Sequence, residues 1–247
     1  MRKLTLIFVI PTLIFSTSFA QNKIEYSRLN FSDDLSASTL SASLSFKPPI
    51  FSNDKLSVLL GFSVAFAEDE SKVGNPAVGL KYTSLPLHTT ATGLLYIPSS
   101  TDNVATLAAF VGSQDTKFGH YVPESTPVEL GLSSWASLPM GLRGDFSFSY
   151  LLLFVNDKQI LSNDSFELFF PYAVRVSKYA DDLEFGASWT GIWYATENLE
   201  NKVASQARFD AGLWLGRFKP TLEAAFPLTD NFKNVLDRTF SIRLVVK

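Results

Sequence analysis

The chain has 247 residues, 46% hydrophobic and 18% charged, with 22 Phe, no Cys and a formal net charge of −3. Zero cysteine excludes a disulfide framework and thiolate chemistry. The mild acidity, with no basic block and no interleaving of basic and aromatic residues, points away from nucleic acid.

The chain opens on Met1-Arg2-Lys3, an apolar run from Leu4 to Phe15, and Ser16-Thr17-Ser18-Phe19-Ala20. That order of basic, apolar and small residues predicts a secretory signal peptide over 1–20, cut near Ala20-Gln21. Its apolar run is short for a membrane anchor and is interrupted by Pro11. Removing 1–20 takes Arg2 and Lys3 and no acid, leaving 19 Lys and Arg against 24 Asp and Glu, a net −5. Residues 21–36 read as an N-terminal segment, either a plug or a short strand, with Ile24/Tyr26 and Leu29/Phe31 as its only hint of alternation.

From residue 37 the pattern changes. Thr39-Leu40-Ser41-Ala42-Ser43-Leu44-Ser45-Phe46 alternates small hydroxyls with apolar residues, the period of a strand whose faces meet different media. Twelve such segments follow one another: 37–46, 55–67, 76–84, 89–98, 104–112, 127–137, 142–155, 165–178, 182–194, 205–216, 218–226 and 237–246. The clearest is 165–178, with Phe166, Leu168, Phe170, Tyr172, Val174 and Val176 opposite Glu167, Arg175 and Ser177. The connections alternate in length. Segments 113–126, 156–164, 195–204 and 227–236 are long, whereas 138–141, 179–181 and 217 are short. This is the asymmetry of an up-and-down transmembrane barrel, and a Greek-key sandwich would break it. Segment 67–75 is long where that count asks for a short turn.

The aliphatic face has no helix to cover it, so a soluble sheet would leave it wet. The other face mixes Gly, Ser, Ala and Thr with charges of both signs. These properties predict an all-β fold: a single antiparallel transmembrane β-barrel of about twelve strands over 37–247, with lipid on the apolar face and a wet lumen inside. Leu40, Leu44 and Phe46 then face lipid, and Ser41, Ser43 and Ser45 line the lumen.

The expected lumen and solute residues are Lys81, Glu129, Asp145, Glu167, Arg175, Glu184, Arg208, Asp210, Trp214, Glu223 and Arg243. Charges in such a place either brace the wall by pairing or set solute selectivity. Trp135 and Trp214 also fall on the inward parity. The two histidines, His88 and His120, have no His-x-Ser pairing, so no catalytic residue and no enzyme activity is expected. Glu68-Asp69-Glu70 reads as a solvated turn rather than a metal site, and no metal or cofactor is expected.

Residues 73–82, Val-Gly-Asn-Pro-Ala-Val-Gly-Leu-Lys-Tyr, resemble a strand start in outer-membrane barrels grouped as phenol meta-pathway (MetA-type) transporters. The resemblance implies a hydrophobic small-molecule channel, with Gly74-Asn75 as the turn, Gly79 as an inward gap and Lys81 as a lumen charge. The last strand fits the alternation read by outer-membrane assembly machinery but ends in Val246-Lys247 rather than an aromatic.

The expected function is therefore a monomeric outer-membrane channel or transporter for a small solute, hydrophobic or aromatic, in a Gram-negative cell. Its expected partners are outer-membrane lipid, the assembly machinery and the solute. The alternatives are a structural or adhesive barrel with a plugged lumen, or a soluble periplasmic binding barrel.

Overall fold

The computed structural model describes residues 22–32, 35–48, 55–67, 70–84, 86–101, 103–112, 117–155, 166–195 and 202–247. The signal peptide expected over 1–20 and residues 68–69 of the acidic turn lie outside the described residues. Twelve strands form one antiparallel ring. They are β1 (Asn22–Phe31), β2 (Ser36–Phe46), β3 (Leu56–Ala67), β5 (Ala77–Ser84), β6 (Thr89–Tyr96) and β7 (Ser125–Leu138), then β8 (Leu142–Val155), β9 (Phe166–Ala180), β10 (Leu183–Tyr194), β11 (Val203–Leu213), β12 (Phe218–Pro227) and β13 (Leu236–Val246). Each pairs with its neighbour in sequence, and β1 pairs with β13 from Asn22↔Val246 onward, which closes the ring. A short β4 (Glu70–Val73) extends β3 as a hairpin beyond the ring. Closure leaves no unpaired edge along the wall, which a wall in lipid requires.

The sequence reading is corrected at one element. Residues 104–112 form a helix, α1 (Val104–Gly112), and not a strand. Its buried residues Ala105, Thr106, Ala108, Ala109 and Gly112 follow helical spacing, and Asn103 Oδ1 caps its start by accepting from the Thr106 amide at 2.8 Å. Residues 22–31 form the full wall strand β1. The ring therefore has twelve strands, although its membership differs from the sequence count.

This exchange of elements also explains segment 67–75. Counting β1 moves that segment to the same end as the other long connections. At one end of the ring the joins β5–β6, β7–β8, β9–β10 and β11–β12 span two to four residues; at the other, β3–β5, β6–β7, β8–β9, β10–β11 and β12–β13 are eight residues apart or more, while β1–β2 (four residues, long end) and β2–β3 (nine residues, short end) run against the trend. The short turns use the left-handed region: Met140 and Gly141 have φ of 64° and 72°, and Asp181 and Gly216 have 54° and 63°.

Alternation sorts the wall as expected. Outward residues such as Leu130, Leu132, Phe146, Tyr150, Trp189, Phe209, Leu222 and Ile242 are exposed around the barrel, far more apolar surface than a soluble monomer presents. Among the described residues no helix is long and apolar enough to cross a membrane, so the crossing elements are the strands.

Candidate functional site

The described parts of the β6–β7 connection, 97–101, 103–112 and 117–124, fold into the barrel from the long-connection end. Ala105, Ala108 and Ala109 of α1 pack with Leu29, Ala37, Ala65, Ala67, Ala204 and Leu236, from β1, β2, β3, β11 and β13. Phe118, of the short helix α2 (Phe118–Tyr121), and Val122 pack with Ala77, Tyr96, Leu151, Leu153, Phe169 and Ile192, from β5, β6, β8, β9 and β10. One connection that reaches both sides of the ring must lie inside it. The alanines keep α1 slim enough to fit, and a Cβ at Gly112 would strike Leu29. Of the two readings of the N-terminal segment, plug or short strand, its described residues 22–31 form the wall strand β1, and the described parts of 97–124 fill the mouth.

A single buried side chain holds both ends of this plug. Asn75, fully buried between β4 and β5, donates through Nδ2 to the carbonyls of Gly119 (3.2 Å) and Val122 (2.9 Å). Its Oδ1 accepts from the backbone amides of Ser99 and Ser100, each at 2.8 Å. Its backbone amide donates to the His120 carbonyl (2.6 Å), and His120 Nδ1 lies 2.7 Å from the Asn75 carbonyl. Gly74 beside it must lack a side chain, because a Cβ there would fall on Ser63 Oγ and the His120 carbonyl. The pair Gly74-Asn75, expected as a turn, is thus the clasp of the plug. Burial holds the His120 imidazole down at about 4, with Lys117 adding to the effect and the Asn75 hydrogen bond opposing it. His88 stacks on Trp135 at 4.0 Å between ring centres.

Below the plug the lumen is polar and lopsided. Inward residues of β2, β3, β5 and β6 are mostly hydroxyls, such as Ser41, Ser43, Ser45, Ser57 and Thr90, with Lys81 among them. The opposite wall carries two ion-pair clusters. In the first, Arg175 grips Asp210 with Nη2 and Nε (2.6 and 3.1 Å) and reaches Glu184 at 2.7 Å; Lys219 holds the other Glu184 oxygen at 2.7 Å. Asp145 is held by Arg143 at 2.6 Å and lies 3.9 Å from Arg175. In the second, Arg243 bridges Glu223 (2.6 Å) and Glu25 (3.1 Å), and Arg208 shares Glu223 at 3.2 Å. Glu25 also holds Lys23 at 2.7 Å and, from the plug, Lys117. Such bidentate and shared pairs compensate charges that would be costly to bury singly.

Ten of the eleven residues expected in the lumen lie on the inward parity of their strands, and Trp214 lies just beyond the end of β11. Asp145, Arg175, Glu184 and Asp210 join the first cluster, and Arg208, Glu223 and Arg243 the second. Glu129 sits high in the barrel and accepts from the Tyr96 hydroxyl at 2.7 Å, and Glu167 is buried on β9. Trp214 stands at the short-turn rim under Lys219 and Lys247, whose Nζ atoms lie 5.0 and 3.6 Å from its ring centre. Lys81 borders two adjoining cavities of about 470 and 430 Å³ among the described residues. Sequence reasoning missed Lys23, Glu25, Lys117, Arg143 and Lys219 as cluster members and Asn75 as a clasp. The first two lie on β1, whose alternation is weak, and Lys117 lies in a loop.

No protein-family model matches the chain, and no characterised protein matches its sequence. Among solved structures it is similar to the COG4313 outer membrane channel from Pseudomonas putida F1, with a TM-score of 0.62 and 13% identity over 94% of this chain and 96% of that one. It is similar also to the NanC porin (TM-score 0.56, 11% identity, 93% of this chain and 100% of that one). The β domain of the Bordetella autotransporter BrkA follows at 0.50, with 13% identity over 93% of this chain and 99% of that one. At such identities the likeness is one of fold: this chain is a closed β-barrel of the kind that outer-membrane channels and an autotransporter share.

Proposed function

We propose that the chain is an outer-membrane channel for small solutes, closed in this conformation by segment 97–124. The observation that carries the reading is the inversion of polarity across one closed wall. Exposed aliphatic and aromatic side chains cover the outside, and hydroxyls and ion pairs line a space inside. The short turns and the paired ends of β1 and β13 face the periplasm, the long connections face outward, and the barrel works as a monomer in outer-membrane lipid. Twelve strands leave room for a narrow conduit once the plug withdraws. The fold likeness to channels supports this reading. The resemblance of 73–82 supports the finer assignment to the MetA-type transporters. In that stretch, Asn75 grips the plug and Lys81 projects into the lumen.

A second reading, a permanently plugged structural barrel, draws on the tight packing around α1 and α2. Planar-bilayer recording separates the two. The channel reading expects discrete openings from the purified protein, more frequent after Asn75→Ala. Absence of openings from both, in preparations whose heat-modifiable migration shows a folded barrel, would favour the plugged reading. Recovery of the protein wholly in the soluble periplasmic fraction would overturn both.

A further inference from the structure

The ion pairs of the lumen are not symmetric toward the water they enclose. In the two clusters the side chains of Glu25, Glu184, Asp210 and Glu223 are only 2–6% exposed. Their partners on the wall, Lys23, Arg175, Arg243, Lys219 and Arg208, are 12–34% exposed, and Lys117 from the plug is 9% exposed. The acids are drawn back into the wall, and the cations stand in front of them. Asp145 is the exception, at 27%, and it is held by Arg143 at 36%. The cavities repeat the bias. The space of about 430 Å³ is lined by Lys23, Lys81, Arg175, Lys219 and Arg243 against Asp145 and Asp210. That of about 220 Å³ meets Lys23, Arg175, Arg208 and Arg243 against Asp210 and Glu223. Lys81 completes the pattern from the hydroxyl wall. Among the described residues no carboxylate lies within ion-pair distance of its ammonium, which stands where both larger cavities meet.

We infer that the lumen selects small organic anions and that the Lys81 ammonium is the cation that meets their carboxylate. The inference rests on the channel reading and names its solute class. A chain of net negative charge is thereby given an electropositive conduit, because selectivity follows the charge at the lumen surface and not the sum over the protein. Serine and threonine hydroxyls beside Lys81 supply further donors to a carboxylate, and Trp135 and Trp214 near the short-turn end leave aromatic acids within the class.

Reversal potentials in a tenfold KCl gradient at neutral pH test the inference, using the full-length wild type and Asn75→Ala. Chloride should be preferred over potassium by about threefold or more, as expected of a narrow lumen with cations at its surface. Lys81→Gln should reduce that preference, and Lys81→Glu should reduce it further or reverse it. Acetate serves as the probe carboxylate: its half-blocking concentration for chloride current should rise about tenfold or more in Lys81→Gln, the loss of one charged contact. Potassium preference in the wild type, or potentials and acetate block unchanged by Lys81→Glu, would overturn the inference and leave the channel reading standing. Silence of wild type and Asn75→Ala alike would instead overturn the channel reading beneath it.

Discussion

Truncation of Asn75 is the most informative perturbation of this barrel. Asn75→Ala removes four side-chain hydrogen bonds, two to amides at the start of the plug segment and two to carbonyls near its end. A net contribution of about 1 kcal/mol for each gives a cost of about 4 kcal/mol, more if the plug groups stay buried without partners. None of the four bonds joins two strands of the ring, so the cost falls on docking of the plug and leaves closure of the wall intact. At 1.4 kcal/mol per decade, the undocked population should rise roughly a thousandfold. Hydrogen exchange followed by mass spectrometry in detergent micelles reads this directly. Peptides covering 97–101 and 117–124 should lose nearly three decades of protection, while peptides from β8 and β9 should keep theirs. Asn75→Asp should behave alike, because it retains the acceptor for Ser99 and Ser100 and sets a carboxylate against two carbonyls. Protection of the plug within about threefold of wild type, in a barrel that still migrates as folded, would refute the clasp, since it would confine the effect to under about 1 kcal/mol.

Three further outcomes follow from the same geometry. The His120 imidazole is held at about 4 when docked against an ordinary 6.5 when released, so only the released plug binds the proton as the pH falls. Docking is thus fully stable above about pH 6.5, loses about 2 kcal/mol by pH 5 and reaches its full loss below about pH 4; plug exchange rates, corrected for intrinsic pH dependence, that stay flat from pH 7.5 to 5 would contradict it. Glu25→Gln leaves Lys23, Lys117 and Arg243 without their shared carboxylate and should destabilise the protein by about 3–5 kcal/mol, read from urea midpoints in micelles; a change under about 1 kcal/mol would show the pairs to be dispensable. Leu222→Arg, at a position 64% exposed on the outer face of β12, should cost about 2–4 kcal/mol of folding free energy in lipid vesicles, whereas no cost would argue against a lipid-facing wall.

The residues show why most of the barrel was legible and why parts were not. Strand β9 separates two different media over its lower half, so its period of two is plain, from Phe170 and Val174 outside to Arg175 and Ser177 inside. Near the long-connection end the inner medium is not water but the plug, and the inward residues turn apolar: Leu29, Leu151, Leu153, Phe169 and Ile192. There the alternation fades. The run Tyr150-Leu151-Leu152-Leu153-Phe154 is apolar on both faces, as is Leu168-Phe169-Phe170, and such runs are the written sign that something fills the barrel at that height. The same filling blurred β1, where Leu29 points inward and Arg28 outward. Residues 104–112 took its place in the sequence count because Val104, Leu107 and Phe110 break any simple polar-apolar contrast, while Asn103, Ala105, Ala108 and Ala109 carry the helical signal. Missing one strand and adding another later kept the total at twelve but reversed the assigned ends of every connection between them. Segment 67–75 was the connection where that reversal was visible. The lumen charges were legible one by one from parity; which acid retreats behind which base depends on register and side-chain reach, which a sequence of alternating letters does not specify.

The plug and the charged wall meet at Glu25, and that meeting limits what opening does to selectivity. Lys117 is the plug's contribution to the second cluster; Lys23, Arg208 and Arg243 all stand on strands of the closed ring. When the plug leaves, Glu25 loses one of three cations and keeps two, so the cluster goes from four bases and two acids to three and two. The first cluster and Lys81 contain no plug residue and do not change. Glu25 does not become a free carboxylate in the conduit, because Lys23 at 2.7 Å and Arg243 at 3.1 Å still cover it. The energetic cost of withdrawal is therefore spread over four side-chain and two backbone hydrogen bonds at Asn75, the ion pair at Lys117 and the apolar contacts of α1 and α2, while the positive surface that a passing anion meets stays with the rigid wall.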